Sequence, residues 1–90
     1  MVNIRVAGIF QGVPTNELMQ EPLRAGDTPS VILARLDKKK VLGRKFFSSL
    51  MRRNQIVILL NGERLEPAET KQKRVEENDE ISVLSVIAGG

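Results

Sequence analysis

Residues 55–66 read QIVILLNGERLE, from Gln55 to Glu66. The first six form the most strand-like run in the chain. Ile56, Ile58 and Leu60 fall on one face of a pleated strand, Val57 and Leu59 on the other. Asn61-Gly62 then supplies the pair that a two-residue hairpin favours, because both central residues of that turn need positive φ. A short strand over 63–66 returns beside the first. A strand apolar on both faces belongs to a sheet with a helix over one face and a second apolar face still to be covered.

The rest of the chain supplies that sheet and helix. In VNIRV, residues 2–6, Val2, Ile4 and Val6 alternate with Asn3 and Arg5, the pattern of a half-buried strand. Gly8 and Gly12-Val13-Pro14 read as an interruption and a loop, and an extended stretch over about 17–23 pairs with the first strand as a hairpin. Gly26-Asp27 turns the chain. Thr28 is suited to cap a helix and Pro29 to occupy its first position, where a missing N–H costs nothing. Val31, Ile32, Ala34 and Leu36 give that helix an apolar stripe over about 29–39. Phe46, Phe47, Leu50 and Met51 recur at helical spacing and predict a short second helix, set off by Gly43. PAETKQK (67–73) reads as loop, Asn78-Asp79 as a turn, and Glu80–Ile87 as the last strand. The order predicts an α+β roll of the ubiquitin-like β-grasp kind. It has a mixed four- to five-stranded sheet, one main helix and a short second helix. The body spans 1–87, and 88–90 form a flexible Gly-Gly tail.

Composition bounds the function. Ninety residues suit one small domain, and 41% hydrophobic with 28% charged residues is ordinary globular usage. There is no Cys and no His. Thiol nucleophiles, zinc-finger ligands, disulfides and the usual imidazole base are therefore absent, which argues against a hydrolase. No apolar run approaches the length of a membrane span. MVNIRVAGIF lacks the basic flank of a signal peptide, so a soluble cytoplasmic protein is expected. The net charge is +3, but it is unevenly placed. Lys38, Lys39, Lys40, Arg44, Lys45, Arg52 and Arg53 lie in one stretch without an acid, while Glu76, Glu77, Asp79 and Glu80 form an acidic turn. The basic stretch reads as a solvated face, or as a surface for an acidic partner protein. There is no Tyr or Trp, and Phe46 and Phe47 sit at core-like positions. Without a stacking platform, nucleic acid is not an expected partner.

The chain closes on VIAGG, residues 86–90. Ala88, Gly89 and Gly90 have almost no side-chain volume and suit a narrow channel in another protein. Gly90 presents an unhindered carboxylate, and five extended residues reach about 16–18 Å. The terminal carboxylate is thus the candidate reactive group, with Ala88 and Gly89 in the channel. If Ile56, Ile58, Leu60, Ile81 and Val83 face the helix, the opposite sheet face carries Ala7, Val57, Leu59, Leu84 and Val86. Either the 40–54 insert folds back over that patch or the patch is a partner-binding interface.

The hairpin, the motif L-x-x-G-D-T-x-x-x-x-L-x-x-L (Leu23–Leu36), LLNGE (59–63), ENDEISVL (77–84) and the terminal IAGG together resemble the sulfur-carrier β-grasp proteins. That family comprises the small subunit of molybdopterin synthase and the thiamine-biosynthesis sulfur carrier. The ending VIAGG looks like the thiamine carrier's. The length and the insert before the central strand look like the molybdopterin type. The resemblance implies a protein cosubstrate, or small subunit of a synthase complex, with no bound cofactor or metal. It implies that an activating enzyme uses ATP to adenylate Gly90. A sulfurtransferase or other sulfur donor then makes a thiocarboxylate, and the tail delivers sulfur inside an acceptor synthase. Two alternatives remain beside it. One is a ubiquitin-like modifier conjugated to lysine through Gly90, the other a basic RNA-binding β-grasp module.

Overall fold

The computed structural model describes residues 1–86. The strands are β1 (Val2–Phe10), β2 (Val13–Glu21), β3 (Ile56–Leu60), β4 (Glu63–Leu65) and β5 (Glu80–Ser85). Helices α1 (Pro29–Lys38) and α2 (Phe46–Arg52) lie between β2 and β3, and a single 3₁₀ turn spans Glu69–Lys71. The sheet order is β2-β1-β5-β3-β4. Only the β1–β5 pairing is parallel; its neighbours are antiparallel. This is the mixed β-grasp sheet that the sequence predicts.

Two expectations need correcting. Gly8 does not interrupt the first strand, which runs through it to Phe10. The hairpin turn is Gln11-Gly12, both at positive φ (53° and 79°), so β2 starts at Val13 rather than near Glu17. Pro14 is tolerated because β2 is an edge strand. Gly8 serves a different purpose. Its φ is +138°, and a Cβ built there would lie 2.1 Å from Ser85 Oγ. Ser85 Oγ fills that space and accepts a hydrogen bond from the Ile9 N–H at 3.0 Å. The loop expected at 67–73 holds the 3₁₀ turn, with Thr70 buried and its hydroxyl donating to the Pro67 carbonyl at 2.6 Å. At Asn61-Gly62 both residues have positive φ, as a primed hairpin turn requires.

The core lies between the sheet and the helices. Val2, Ile4 and Val6 of β1, Ile81 and Val83 of β5, and Ile58 and Leu60 of β3 meet Ile32, Leu33 and Leu36 of α1. Each fully buried side chain of this size contributes about 1.5–3 kcal/mol. Helix α1 starts as its sequence predicts: Thr28 Oγ1 accepts from the Val31 N–H at 3.3 Å, with Pro29 in the first turn. It ends with Lys40 at φ 56°, where the Lys40 N–H reaches Asp37 O and the Val41 N–H reaches Leu36 O. These are the two bonds of a Schellman motif. Asn54 closes α2 in the same way, with bonds from Asn54 and Gln55 to Met51 and Leu50. Helix α2 starts on a neighbour's side chain. The Asp37 carboxylate of α1 accepts from the Phe47 and Ser48 N–H groups at 2.9 and 2.8 Å. That cap satisfies two otherwise unpaired donors and seats α2 beside α1.

An ion cluster ties α1 to the end of β2 and the loop after it. Arg35 makes a two-pronged contact to Asp27 (Nη1–Oδ1 3.0 Å, Nη2–Oδ2 2.6 Å) and donates through Nε to Glu21 at 2.7 Å. Lys39 Nζ reaches the other Glu21 oxygen at 2.7 Å. Both carboxylates are almost fully buried. Burial pushes the Glu21 carboxyl up, but hydrogen bonds from Lys39 and Arg35 outweigh it and hold the group below its ordinary range. Asp27 is lowered chiefly by its Arg35 hydrogen bonds, against the opposing effect of burial.

Gly8→Ala should cost about 2–4 kcal/mol, from strained backbone and a clash with Ser85. Urea unfolding measures it, and adding Ser85→Gly should recover the clash but leave the backbone cost. Arg35→Met should cost about 3–5 kcal/mol near neutrality, because it leaves the buried Asp27 carboxylate without its ion-pair partner and Glu21 with Lys39 alone. Both carboxyls titrate lower folded than unfolded. Their stabilisation is therefore full above the unfolded carboxyl range and is lost as pH falls through the folded values. The native chain should weaken below about pH 4, and its advantage over Arg35→Met should shrink there, as unfolding at several pH values would record.

Candidate functional site

Strand β5 lies between β1 and β3, so its two edges are fully used in pairing. Its inner side chains, Ile81 and Val83, are in the core. What it leaves available is its outer face and its C-terminal end. Leu84 points to the outer face, directly beside Ala7 of β1 and Val57 of β3 in register. These three are half-buried, as is Leu59 two residues along β3. Val86 follows at the end of the strand, 47% exposed, its N–H bonded to the Gln55 carbonyl at 3.1 Å. The structure therefore brings Ala7, Val57, Leu59, Leu84 and Val86 together on one face, at the end of the sheet where the chain departs.

The insert does not cover this patch. Its buried side chains, Phe47 and Leu50, belong to the core on the helix side. The Phe46 ring stacks edge-on against Phe10 and Phe47, with centroids 5.5 and 5.0 Å apart. All three phenylalanines are thus engaged with one another, and none forms a platform beside the basic residues. Lys38, Lys39, Lys40, Arg44, Lys45, Arg52 and Arg53 are all exposed, with Lys39 also held by Glu21.

Sequence reading missed two members of the outer face. Leu18 pairs with outward-facing Arg5 and is 71% exposed; Ile9 lies beyond Ala7 and is 64% exposed. Strict alternation continued through Gly8 would have found Ile9, and starting β2 at Val13 would have placed Leu18. The acidic turn is a structural knot at the far end of β5. Asp79 accepts from the Glu76 N–H and from Asn61 Nδ2, while Asn61 Oδ1 accepts from the Glu80 N–H.

Ala88, Gly89 and Gly90 lie outside the described residues, as do Ile87 and the expected boundary between body and tail. Among the described residues, no group of three or more His, Cys, Asp or Glu could hold a metal ion. No helix there is long and apolar enough to cross a membrane.

Comparison with curated proteins and with solved structures found no match to the chain. A family model, that of the ThiS family, matches residues 17–90, which takes in the second half of β2, both helices and every later strand of the described residues. With that match over most of its length and the β-grasp sheet that goes with it, the chain belongs to the ThiS family of small sulfur carriers.

Proposed function

We propose that the chain carries sulfur as a thiocarboxylate on Gly90 and delivers it to a biosynthetic acceptor of the molybdopterin or thiamine type, or a related one. The observation that carries this reading is the double duty of β5. One strand presents Leu84 on an uncovered apolar face and then leads, within a few residues, to the glycine tail. A partner that docks on Ala7, Leu84 and Val57 receives the tail beside its docking site. Family membership supports the sulfur chemistry and the general class of partner, an activating enzyme and a synthase.

The steps balance as follows. A Gly90 carboxylate oxygen attacks the α-phosphorus of ATP in the activating enzyme, and pyrophosphate leaves. Sulfide attacks the acyl carbon, and AMP leaves with the bridging oxygen. Where a sulfurtransferase persulfide is the donor, its outer sulfur attacks instead, and a second thiol cleaves the resulting acyl disulfide, leaving the thiocarboxylate and a disulfide between the two thiols. The thiocarboxylate sulfur then attacks a carbonyl or imine carbon of the acceptor's substrate, and the π electron pair passes to the oxygen or nitrogen, which takes a proton. Hydrolysis of the resulting thioester frees the sulfur on the product and restores the carboxylate. In this scheme the folded body binds no cofactor. Its work is to dock, and Ala88 and Gly89 thread a channel too narrow for larger side chains.

The ubiquitin-like modifier shares the adenylation step, but there a lysine amine takes the Gly90 acyl group and an isopeptide bond remains; it is an outcome of the same experiment. The RNA-binding alternative is disfavoured because the aromatic rings pack on one another. Incubation with ATP, the cognate activating enzyme and a sulfide source, followed by intact-mass measurement, should record exchange of one oxygen for sulfur at Gly90. Conjugates on lysine would indicate a modifier instead, and no change in mass at all would reject the carrier chemistry. Deleting Gly90, or making Gly89→Val, should abolish transfer without altering stability. Leu84→Glu should fold normally, since Leu84 is outside the core, yet weaken binding to the activating enzyme by about tenfold or more, because docking would desolvate the new charge.

A further inference from the structure

Strand β4 is too short to protect all of β3. It pairs with β3 only at Ile58, Leu59 and Leu60. The next position along β4 that could face Ile56 is Pro67, which has no N–H and leads into the 3₁₀ turn. The Gln55 carbonyl bonds to Val86 on the β5 side. Alternation along an antiparallel strand therefore sends the Ile56 N–H and C=O the other way, toward the open edge. Ile56 lines a cavity of about 570 Å³ at that edge.

Met51, Ile56 and Leu65 give this groove apolar surface, and Arg52, Arg64 and Lys71 line it with charge. All three cations are exposed, and none is in an ion pair among the described residues. Among the described residues, the groove's one acid is Glu66. Val57 and Val86 line the same groove and also belong to the outer apolar face. A partner seated on that face therefore lies next to the groove without any further rearrangement.

We infer that this groove binds an extended acidic segment of a partner protein. The segment lies beside Ile56 as a short added strand, its backbone pairing with the Ile56 N–H and C=O. Its carboxylates meet Arg52, Arg64 and Lys71, and an alternate apolar side chain enters the floor. The charge of the lining selects an anion, and the unpaired backbone edge selects a peptide over a nucleic acid. A nucleic acid would also need a stacking surface, which the phenylalanines, packed on one another, do not supply.

The test uses the full chain alone, without ATP or activating enzyme, so its result is independent of the tail chemistry. The probes are a fluorescein-labelled peptide alternating Glu and Val, a matching Lys and Val peptide, and a short oligouridylate. Binding is followed by anisotropy, and the Ile56 amide by ¹⁵N-resolved NMR. The Glu-Val peptide should bind, shift the Ile56 amide and lose about tenfold or more in affinity in the double variant Arg52→Glu, Arg64→Glu. The Lys-Val peptide should not bind. Failure of the Glu-Val peptide to bind overturns the inference. So does affinity that survives the double variant, an Ile56 amide that does not move, or binding of the Lys-Val peptide. Tighter binding of the oligouridylate, lost in the same variant, would overturn it in favour of a nucleic-acid surface.

Discussion

The parallel contact between the first and last strands holds this molecule together. β1 and β5 lie at the centre of the sheet, and the contact requires Gly8, because Ser85 occupies the space where any other residue would place a Cβ. With β5 paired on both edges and buried on one face, its options are few. Only its outer face and its departing end can meet another molecule. In the proposed carrier, the docking surface and the lead into the tail would both come from this one strand.

The helix side explains why the outer face stays bare. Arg35 clamps α1 to Glu21 and Asp27, and Asp37 on the same helix caps α2. Phe47 and Leu50 follow that cap into the core. An insert tied down at the start of α2 by a side chain of α1 is held on the helix side of the sheet. Its cations are left in solvent on the helix side, while Arg52 at its end lines the groove next to the outer face. The separation is physically sensible. In the proposed carrier, the apolar patch would supply contact area, and the surrounding cations would bias which partner arrives and in what orientation.

Much of this architecture is legible in local pattern. The alternation in residues 2–6 and 55–60, the Asn61-Gly62 turn and the Thr28-Pro29 helix start all found their elements, because each is decided by neighbours in sequence. The five expected outer-face residues follow from the same period-two logic. What escaped depends on distant partners. Gly8 reads as a break because glycine usually weakens a strand, yet it is present for Ser85, at the other end of the chain. Gln11 at positive φ gives no local warning of a turn. Glu21, Asp27 and Arg35 look like three ordinary surface charges until the fold brings them together, and Asp37 looks like a helix residue until it caps another helix. The groove beside Ile56 depends on where β4 stops, and hairpin signals fix turns better than strand ends.

The central claim is that docking and chemistry are separable, the first in the folded face and the second in the tail. A chain lacking Gly90, added to a sulfur-transfer reaction run with the full-length protein and its activating enzyme, tests this most directly. It should inhibit competitively with an affinity close to that of the full chain, and Leu84→Glu in the same shortened chain should remove the inhibition. No inhibition by the shortened chain, with inhibition instead by a free peptide of the tail sequence, would mean that the tail alone is recognised and that the outer face of the sheet has no part in docking.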